Sequence, residues 1–333
     1  MIEIDGSIGE GGGQVVRSAV ALSNLWGEPV RVINIRKSRE APGLKAQHLH
    51  AIKALAELTN AEVSGLSIGS SELLFKPGSS IKSSVNVNIP TAGSIGLVLQ
   101  CLIIALLKIN KPVKIFFNGG ATCGEWSPPL DYINNVWFFN MSLWGYSPPQ
   151  VIVKREGYYP KGGAIVELIV KPSKLKSADF LEHKPAGVIK GISHASDLLK
   201  NPKVAERQAE SAAKGLVDYN VKIESKYSKS LCPGSSITLW SEGLTRVGAD
   251  SIGERGKSSE LVGSEAALKL KKELDSKAAF DSHMADMLIP LLAIVGGSIT
   301  VSEVTSHAKT NIWLCEHFTK KKFTVKGSTI IFK

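Results

Sequence analysis

A glycine-rich segment near the start of the chain constrains the fold more than any other feature. Residues 9–14 read Gly-Glu-Gly-Gly-Gly-Gln, and the apolar residues from Val15 to Leu22 predict a helix directly after them. Glycines permit positive φ angles and close approach of the backbone to a ligand. A loop of this kind before a helix is either a plain turn or an anion-binding loop, because the first N–H groups of the helix are free. Glu10 in the loop favours a divalent cation between its carboxylate and bound phosphates.

Two common nucleotide-binding motifs do not match. The dinucleotide fingerprint needs a third glycine where this chain has Gln14. The segment from Gly253 to Ser258 ends in Gly-Lys-Ser, but Ser251 stands where a P-loop needs its first glycine. We therefore interpret this segment as a loop with a solvated lysine, Lys257.

The chain is basic, with 40 Lys and Arg against 30 Asp and Glu in 333 residues, which gives a net charge of +10. This balance favours an anionic partner such as RNA, DNA or a nucleotide, whereas the lysine run at 320–322 indicates a solvated surface. No apolar stretch is long enough to span a membrane, so no membrane partner is expected. The cysteines at 101, 123, 232 and 315 form no C-x-x-C pair, which argues against a zinc ribbon and predicts a cytoplasmic protein.

Short strand-like segments alternate with helical ones. A rhythm of glycine turn, helix and paired strands recurs near residues 93–96 and 286–297, which indicates an internal repeat of an α+β unit. Charge rises from Glu182 to Ser276, and this part has its own strand and helix pattern. The sequence thus predicts a large domain from residues 1–181 and 277–333 and a small inserted α/β domain at residues 182–276. Near the C-terminus we expect a helix at 287–295, a strand at 298–301, a helix at 310–318 and one strand at 323–332.

His307 is the most suggestive of the seven histidines. It lies between an expected strand and an expected helix, where functional loop residues are common. A neutral imidazole can attack phosphorus and form a covalent intermediate. A histidine at a helix start can equally be a hydrogen-bonding residue with no chemical role.

A basic segment from Arg36 to Gly43 is followed by Gln47 and His48. Arg36 and Arg39 flank a turn, and paired guanidinium groups are good phosphate clamps, although an exposed charged loop is an equally good interpretation. His48 and His50 do not form a metal site, since residues i and i+2 of a helix point about 200° apart.

Together these segments resemble the RNA 3′-terminal phosphate cyclase family over nearly the whole chain. The similarity is specific as an ordered set. It is carried by residues 5–6 and 9–17, residues 36–48, residues 92–100, residues 119–120 with 128–131, residues 157–163, and residues 306–311.

The resemblance implies a mixed α+β fold. In this family the large domain has three repeated βαβαββ-like units, similar to the C-terminal domain of translation initiation factor 3, and a small α/β domain is inserted. It also implies conversion of an RNA 3′-phosphate to a 2′,3′-cyclic phosphate with ATP and a divalent metal, Mg²⁺ or Mn²⁺.

By the same resemblance, His307 attacks the α-phosphorus of ATP and becomes adenylylated, and Glu10 binds the metal. The remaining positions that match the family's nucleotide- and phosphate-binding site are Arg17, Arg36, Arg39, Gln47, His48 and Gln100, with Pro128 and Asp286 in the adenine pocket. Two positions depart from the family. His283 replaces the aromatic residue that covers adenine, although an imidazole can still stack. Met287 stands where some members carry glutamine, so the resemblance does not extend to one contact with the base.

Three other functions compete with an active cyclase. A catalytically inactive relative acting in RNA binding or ribosome biogenesis would lack the nucleophile, but His307 is present. A nucleic-acid ligase that works through adenylylated lysine needs a K-x-D-G signature, which this sequence does not contain. An enolpyruvyl transferase shares a related repeated architecture, but the arginine and glycine segments match the cyclases. Sequence leaves the oligomeric state open.

Overall fold

The computed structural model describes residues 1–9, 12–125 and 127–333. Within these ranges the chain forms four sheets of four strands each, with helices packed against them. The predicted mixed α/β class is confirmed. None of the helices in the described ranges combines the length and the apolar character that crossing a bilayer requires.

The first sheet is formed by residues 2–76. Its strand order is β1-β2-β4-β3, in which β1 runs parallel to β2 and the other neighbours are antiparallel. Its elements are β1 (Ile2–Asp5), α1 (Gly13–Trp26), β2 (Val30–Ile33), α2 (Ala46–Thr59), β3 (Glu62–Ser64) and β4 (Leu73–Lys76).

The second sheet repeats this arrangement. Its order is β5-β6-β8-β7, again with a parallel first pair and two antiparallel neighbours. Its elements are β5 (Ser84–Ser94), α3 (Ile95–Ala105), β6 (Val113–Ala121), α4 (Leu130–Tyr132), a π-helical turn (Ile133–Trp137), α5 (Phe138–Ser142), β7 (Gln150–Arg155) and β8 (Ile165–Val170).

A third sheet begins with β9 (Ala178–Phe180), but the chain first builds a separate sheet of order β11-β10-β12-β13. Its strands and helices enclose their own apolar cluster, which includes Ile237, Leu239 and Leu270. We call this part the inserted sheet. Its elements are β10 (Pro185–Ser196), a 3₁₀ turn (Asp197–Leu199), α6 (Val204–Gly215), β11 (Asn220–Ser228), β12 (Ser235–Gly243), β13 (Val247–Ile252) and α7 (Ser259–Asp275).

After the inserted sheet the chain completes the sheet that β9 began. The order is β15-β16-β14-β9, and β9 and β14 form its parallel pair. Three sheets therefore share one connectivity. Each has a parallel pair of strands followed by a hairpin, and the second strand of the hairpin lies beside the parallel pair. The remaining elements are α8 (Met284–Met287), α9 (Ile289–Val295), β14 (Gly297–Thr300), α10 (Ser306–Thr319), β15 (Phe323–Lys326) and β16 (Thr329–Phe332).

Several local predictions differ from the structure. The sequence predicts one strand from Phe323 to Phe332, but the structure has a hairpin, because Gly327 adopts a φ of 57° and reverses the chain. The predicted helix at 287–295 is two short helices, and Pro290 lies at the start of the second. The last long helix begins at Ser306 rather than near Thr310, since the Thr305 hydroxyl accepts the N–H of Ala308 and caps it.

Helix α1 fixes the geometry around the glycine segment. Most of its residues are buried, and it packs against α2, α3 and α10. Gly9 has a φ of 68°, and a Cβ there would lie 2.4 Å from Oγ1 of Thr310 on α10. Gly9 therefore lies against the helix that carries His307, which brings the two predicted features to one place.

Candidate active site

A cavity of about 490 Å³ lies between the first turns of α1, α3 and α10 and the inserted sheet. Helix N-termini carry unsatisfied N–H groups and favour anions. Six residues predicted for the site line this cavity: Arg17, Gln100, Pro128, His283, Asp286 and His307. The structure thus brings together residues that are spread over 290 positions of the sequence. The cavity volume falls in the range typical of small-molecule sites.

A chain of hydrogen bonds holds His307 in place. Its Nδ1 lies 2.6 Å from Oε1 of Gln14. Nε2 of Gln14 donates in turn to Oδ2 of Asp286 at 3.2 Å and to the backbone oxygen of His307 at 3.4 Å. Asp286 is itself held by Asn311, whose Nδ2 donates to its backbone oxygen at 3.0 Å. Asp286 therefore orients Gln14, and Gln14 orients the imidazole of His307. In many enzymes a third group orients the base beside a nucleophile in the same way.

This arrangement decides which ring nitrogen of His307 carries a proton. The Oε1 atom of Gln14 has no hydrogen, so Nδ1 of His307 must donate. In a neutral imidazole the other nitrogen, Nε2, then carries the lone pair. The neutral ring of His307 therefore has its lone pair on Nε2, in the first turn of α10. Burial raises the pKa of Asp286, while His307 in its protonated form, His283 and Arg17 oppose that rise.

Arg17 links the cavity to a second group of predicted residues. Its side chain is only 7% exposed, and burial lowers its pKa to about 10, so that it keeps its charge at neutral pH. The Arg17 guanidinium also contributes to lowering the pKa of His48, which places the two side chains near each other. A buried cation of this kind is well suited to a phosphate group.

His48 is fully buried in the first turn of α2, against the start of α1. Its Nδ1 accepts the backbone N–H of Lys45 at 3.0 Å, so Nε2 carries the proton of the neutral ring. Among residues 1–9, 12–125 and 127–333 nothing hydrogen-bonds this Nε2, and a Cβ on Gly13 would lie 1.8 Å from it. Burial, followed by the charges of Arg17, Arg36 and Lys45, lowers the pKa of His48 to about 3. A buried N–H at this position is suited to donate to an incoming anion.

The remaining predicted residues lie outside the cavity lining but near α1. Nη2 of Arg39 would be 3.7 Å from a Cβ on Gly12. Arg36 has a left-handed backbone with φ of 57°, and burial and the charge of Arg39 lower its pKa. Gln47 is half-buried one position before His48. Arg39 and His48 thus lie beside Gly12 and Gly13 at the start of α1, while His283 and Pro128 line the cavity.

His283 is held by the inserted sheet. Its Nε2 lies 3.3 Å from Oδ1 of Asp250 on β13, and its ring packs edge-on against Tyr132 with centroids 5.3 Å apart. Burial opposes protonation, but Asp250, Asp281 and Asp286 outweigh it and raise the pKa of His283 to about 9. The ring is therefore an imidazolium at neutral pH.

Sequence reasoning missed three contributors. Gln14 was named only as the residue that breaks a glycine fingerprint, although a side chain at the start of α1 was a reasonable candidate. Lys257 is not the solvated lysine expected, because its Nζ contacts Glu265 at 2.5 Å, its side chain is 17% exposed, and it lines the cavity. Asp250 had no sequence signal, since its role depends on how the inserted sheet packs.

Glu10, the expected metal ligand, lies outside the described residues. Among residues 1–9, 12–125 and 127–333, no group of three His, Cys, Asp or Glu side chains is arranged to hold a metal ion. All four cysteines are buried and unpaired. Metal binding by this chain therefore stays a prediction that depends on Glu10 and on the phosphates of a bound nucleotide.

Comparison with known proteins gives a consistent result. The sequence model of a family described as RNA 3′-terminal phosphate cyclase matches residues 8–325. A protein of Pyrococcus abyssi with that name is 48% identical over 332 residues, which cover 98% of this chain and 96% of the relative. Proteins of the same name from Methanosarcina barkeri and Archaeoglobus fulgidus are 44% and 43% identical, with 100% of this chain and 99% and 100% of the relatives covered.

Proposed function

The chain belongs to the RNA 3′-terminal phosphate cyclase family, and on that premise we propose that it is an ATP-dependent enzyme of the ligase class that converts an RNA 3′-terminal phosphate to a 2′,3′-cyclic phosphate. The reaction passes through a covalent histidine–AMP intermediate on His307 and an RNA-adenylate. The observation that supports this proposal is the pair of hydrogen bonds that join Asp286 to Gln14 and Gln14 to His307. They place the lone pair of the neutral His307 ring on Nε2.

The first step is adenylyl transfer. The Nε2 lone pair of His307 attacks the α-phosphorus of ATP, the bond to the bridging oxygen breaks, and pyrophosphate leaves with that electron pair. The ring gains positive charge as the bond forms. Oε1 of Gln14 accepts its Nδ1–H, and the carboxylate of Asp286 lies behind Gln14, so both groups stabilise that charge.

The second and third steps act on RNA. An oxygen of the RNA 3′-phosphate attacks the adenylyl phosphorus, and the electrons of the broken P–N bond return to Nε2. The 2′-hydroxyl then attacks the 3′-phosphorus and loses its proton, and AMP leaves. Adenylylation is needed because an unmodified phosphate oxygen is a poor leaving group. Most of the acceleration comes from positioning and charge neutralisation.

The nucleotide would lie along the cavity. Its base would pack between Pro128 and His283, with Asp286 near the adenine amino group, and Gln100 would line the same site. Its phosphates would face the glycine end and would be bound there by Arg17, Arg36, Arg39, Gln47 and His48. The buried Nε2–H of His48, which has no partner in the part of the chain that the structure describes, supports this orientation. Glu10 would hold Mg²⁺ or Mn²⁺, which neutralises phosphate charge when bound.

We also propose the finer description of the architecture. The three sheets of common connectivity are repeats of one βαβαββ unit, similar to the C-terminal domain of translation initiation factor 3. They form a large domain from residues 1–181 and 277–333, and residues 182–276 form the inserted domain. The separate apolar cluster of the inserted sheet supports this division.

The test uses an RNA oligonucleotide with a radiolabelled 3′-phosphate. With ATP and Mg²⁺ the protein should make the label resistant to phosphatase, and His307→Ala should abolish this conversion. His317→Ala is the matched control, because His317 lies on the same helix but bonds the oxygen of Trp313 near its far end. Resistance formed equally by His307→Ala would refute the nucleophile. No resistance with the unchanged protein would favour an inactive relative that only binds RNA.

A further inference from the structure

We propose that Asp250 of the inserted sheet positions the His283 ring as an imidazolium against the nucleotide base, so that the inserted domain sets the affinity for ATP. This inference rests on the proposed function and names the part of the nucleotide site that the inserted domain controls. Asp250 is a positioning residue, since it acts through His283.

Two separate contacts fix His283. Its side-chain Nε2 lies 3.3 Å from Oδ1 of Asp250, whose own side chain is 14% exposed. Its backbone N–H donates to Oδ1 of Asp281 at 3.1 Å. Asp281 is fully buried and also accepts the hydroxyl of Tyr132 at 2.5 Å and the N–H of Gly248 at 2.8 Å. The main chain of His283 is therefore fixed by a buried carboxylate, and its ring direction is set by the inserted sheet.

The ring keeps one accessible side. The side chain of His283 is 46% exposed and lines the cavity, as does Pro128. One edge contact is taken by Tyr132. A base entering the cavity therefore meets a flat charged ring. Cations attract the π-face of aromatic systems, so an imidazolium contributes more to base binding than a neutral ring does.

The charges around His283 come from every element packed on it. Carboxylates dominate: Asp250 on β13, Asp281 before α8, Asp286 on α8, and Glu273 on α7, which accepts the hydroxyl of the neighbouring Ser282 at 2.6 Å. Lys269 on α7 is a cation nearby, and its Nζ donates to the backbone oxygen of Asp250 at 3.0 Å. Lys257, Arg17 and His307 line the same cavity. Loss of the Asp250 charge removes the nearest partner of the ring, which then titrates closer to neutral pH.

The experiment measures equilibrium binding of α,β-methylene-ATP with Mg²⁺ by calorimetry at pH 6 and pH 8. This probe cannot be cleaved at the α-phosphorus. Asp250→Asn should weaken binding about two- to fivefold at pH 8 and have little effect at pH 6, where the ring is protonated without its partner. His283→Phe should lose affinity without this pH dependence. Ionisation of the nucleotide itself is common to all variants and cancels in the comparison.

Proton NMR of the histidine rings supplies a readout that does not depend on ligand. The signal lost in His283→Phe identifies the ring, and in Asp250→Asn its titration should move down from about pH 9. Asp218→Asn is the matched control, because it removes an exposed carboxylate of the inserted domain that pairs with Lys271. An unmoved titration, or weakening by Asp250→Asn that is equal at both pH values, would overturn the inference. Failure of the unchanged protein to bind the probe would instead refute the proposed function.

Discussion

Replacing Gly13 with alanine should destabilise the protein through a single contact. A Cβ at this position would lie 1.8 Å from Nε2 of His48, 2.5 Å from its Cδ2 and 2.7 Å from its Cε1. The His48 ring cannot move aside freely, because it is fully buried and its Nδ1 accepts the N–H of Lys45 at 3.0 Å. Real Cβ atoms do not approach this closely, so either α1 or the ring must shift.

The size of the effect follows from two opposing terms. Overpacking of a closed site costs about 1–3 kcal/mol. Alanine gains up to about 1 kcal/mol over glycine from helix propensity, and less at a first helical position such as Gly13. The clash wins, and we expect the free energy of unfolding to fall by about 2 kcal/mol.

Urea unfolding of matched variants tests this reasoning. Gly12→Ala is the control, since among the described residues a Cβ there meets Nη2 of Arg39 alone, at an ordinary 3.7 Å. It should cost less than about 1 kcal/mol, the usual range for a changed N-cap. His48→Ala should remove the penalty of Gly13→Ala in a double-mutant cycle, because the two residues are in contact. Equal losses for Gly12→Ala and Gly13→Ala, with no coupling to His48, would refute the account.

Two further predictions concern the histidines of the site. Gln14→Met removes the acceptor of the Nδ1–H of His307, a hydrogen bond that contributes about 0.5–1.5 kcal/mol. Adenylylation should therefore slow about 2- to 12-fold at saturating ATP. An unchanged labelling rate would show that Gln14 does not orient the ring. Folding lowers the pKa of His48 from 6.5 to about 3, so below pH 6.5 the unfolded chain binds a proton that the folded protein excludes. The free energy of unfolding is therefore highest above pH 6.5 and falls with the pH by up to about 1.4 kcal/mol per pH unit. Urea unfolding at pH 7, 6 and 5 should show this extra loss in the unchanged protein but not in His48→Leu, and parallel pH profiles would contradict it.

Local patterns predicted much of the fold. Apolar periodicity located the long helices because their buried faces follow the helical period, and α1 and α3 are almost wholly buried. The short strands β1, β3, β9 and β13 were missed, since three to six residues carry too little pattern. For β1 and β9 the pairing partner also lies far along the chain. The strand β9 pairs with β14, about 120 residues later, across the whole inserted sheet.

The residues of the site also fall into those that local sequence identifies and those that only tertiary packing defines. The glycine segment and His307 were identified from local sequence, and the family resemblance they supported is confirmed. Gln14, Asp250 and Lys257 were not, because each acquires its role only when distant elements pack together. Lys257 illustrates the difficulty, since Glu265 on α7 turns an apparent loop lysine into a half-enclosed ion pair.

The central claim is that His307 is the nucleophile, and the most direct measurement is covalent labelling of the protein with α-labelled ATP and a divalent metal. After denaturation, the account predicts bound label that is labile in acid and stable in alkali, as a phosphoramidate is. The label should be absent from His307→Ala and retained by His317→Ala. Label retained by folded His307→Ala, or no label with Mg²⁺ or Mn²⁺, would contradict the account.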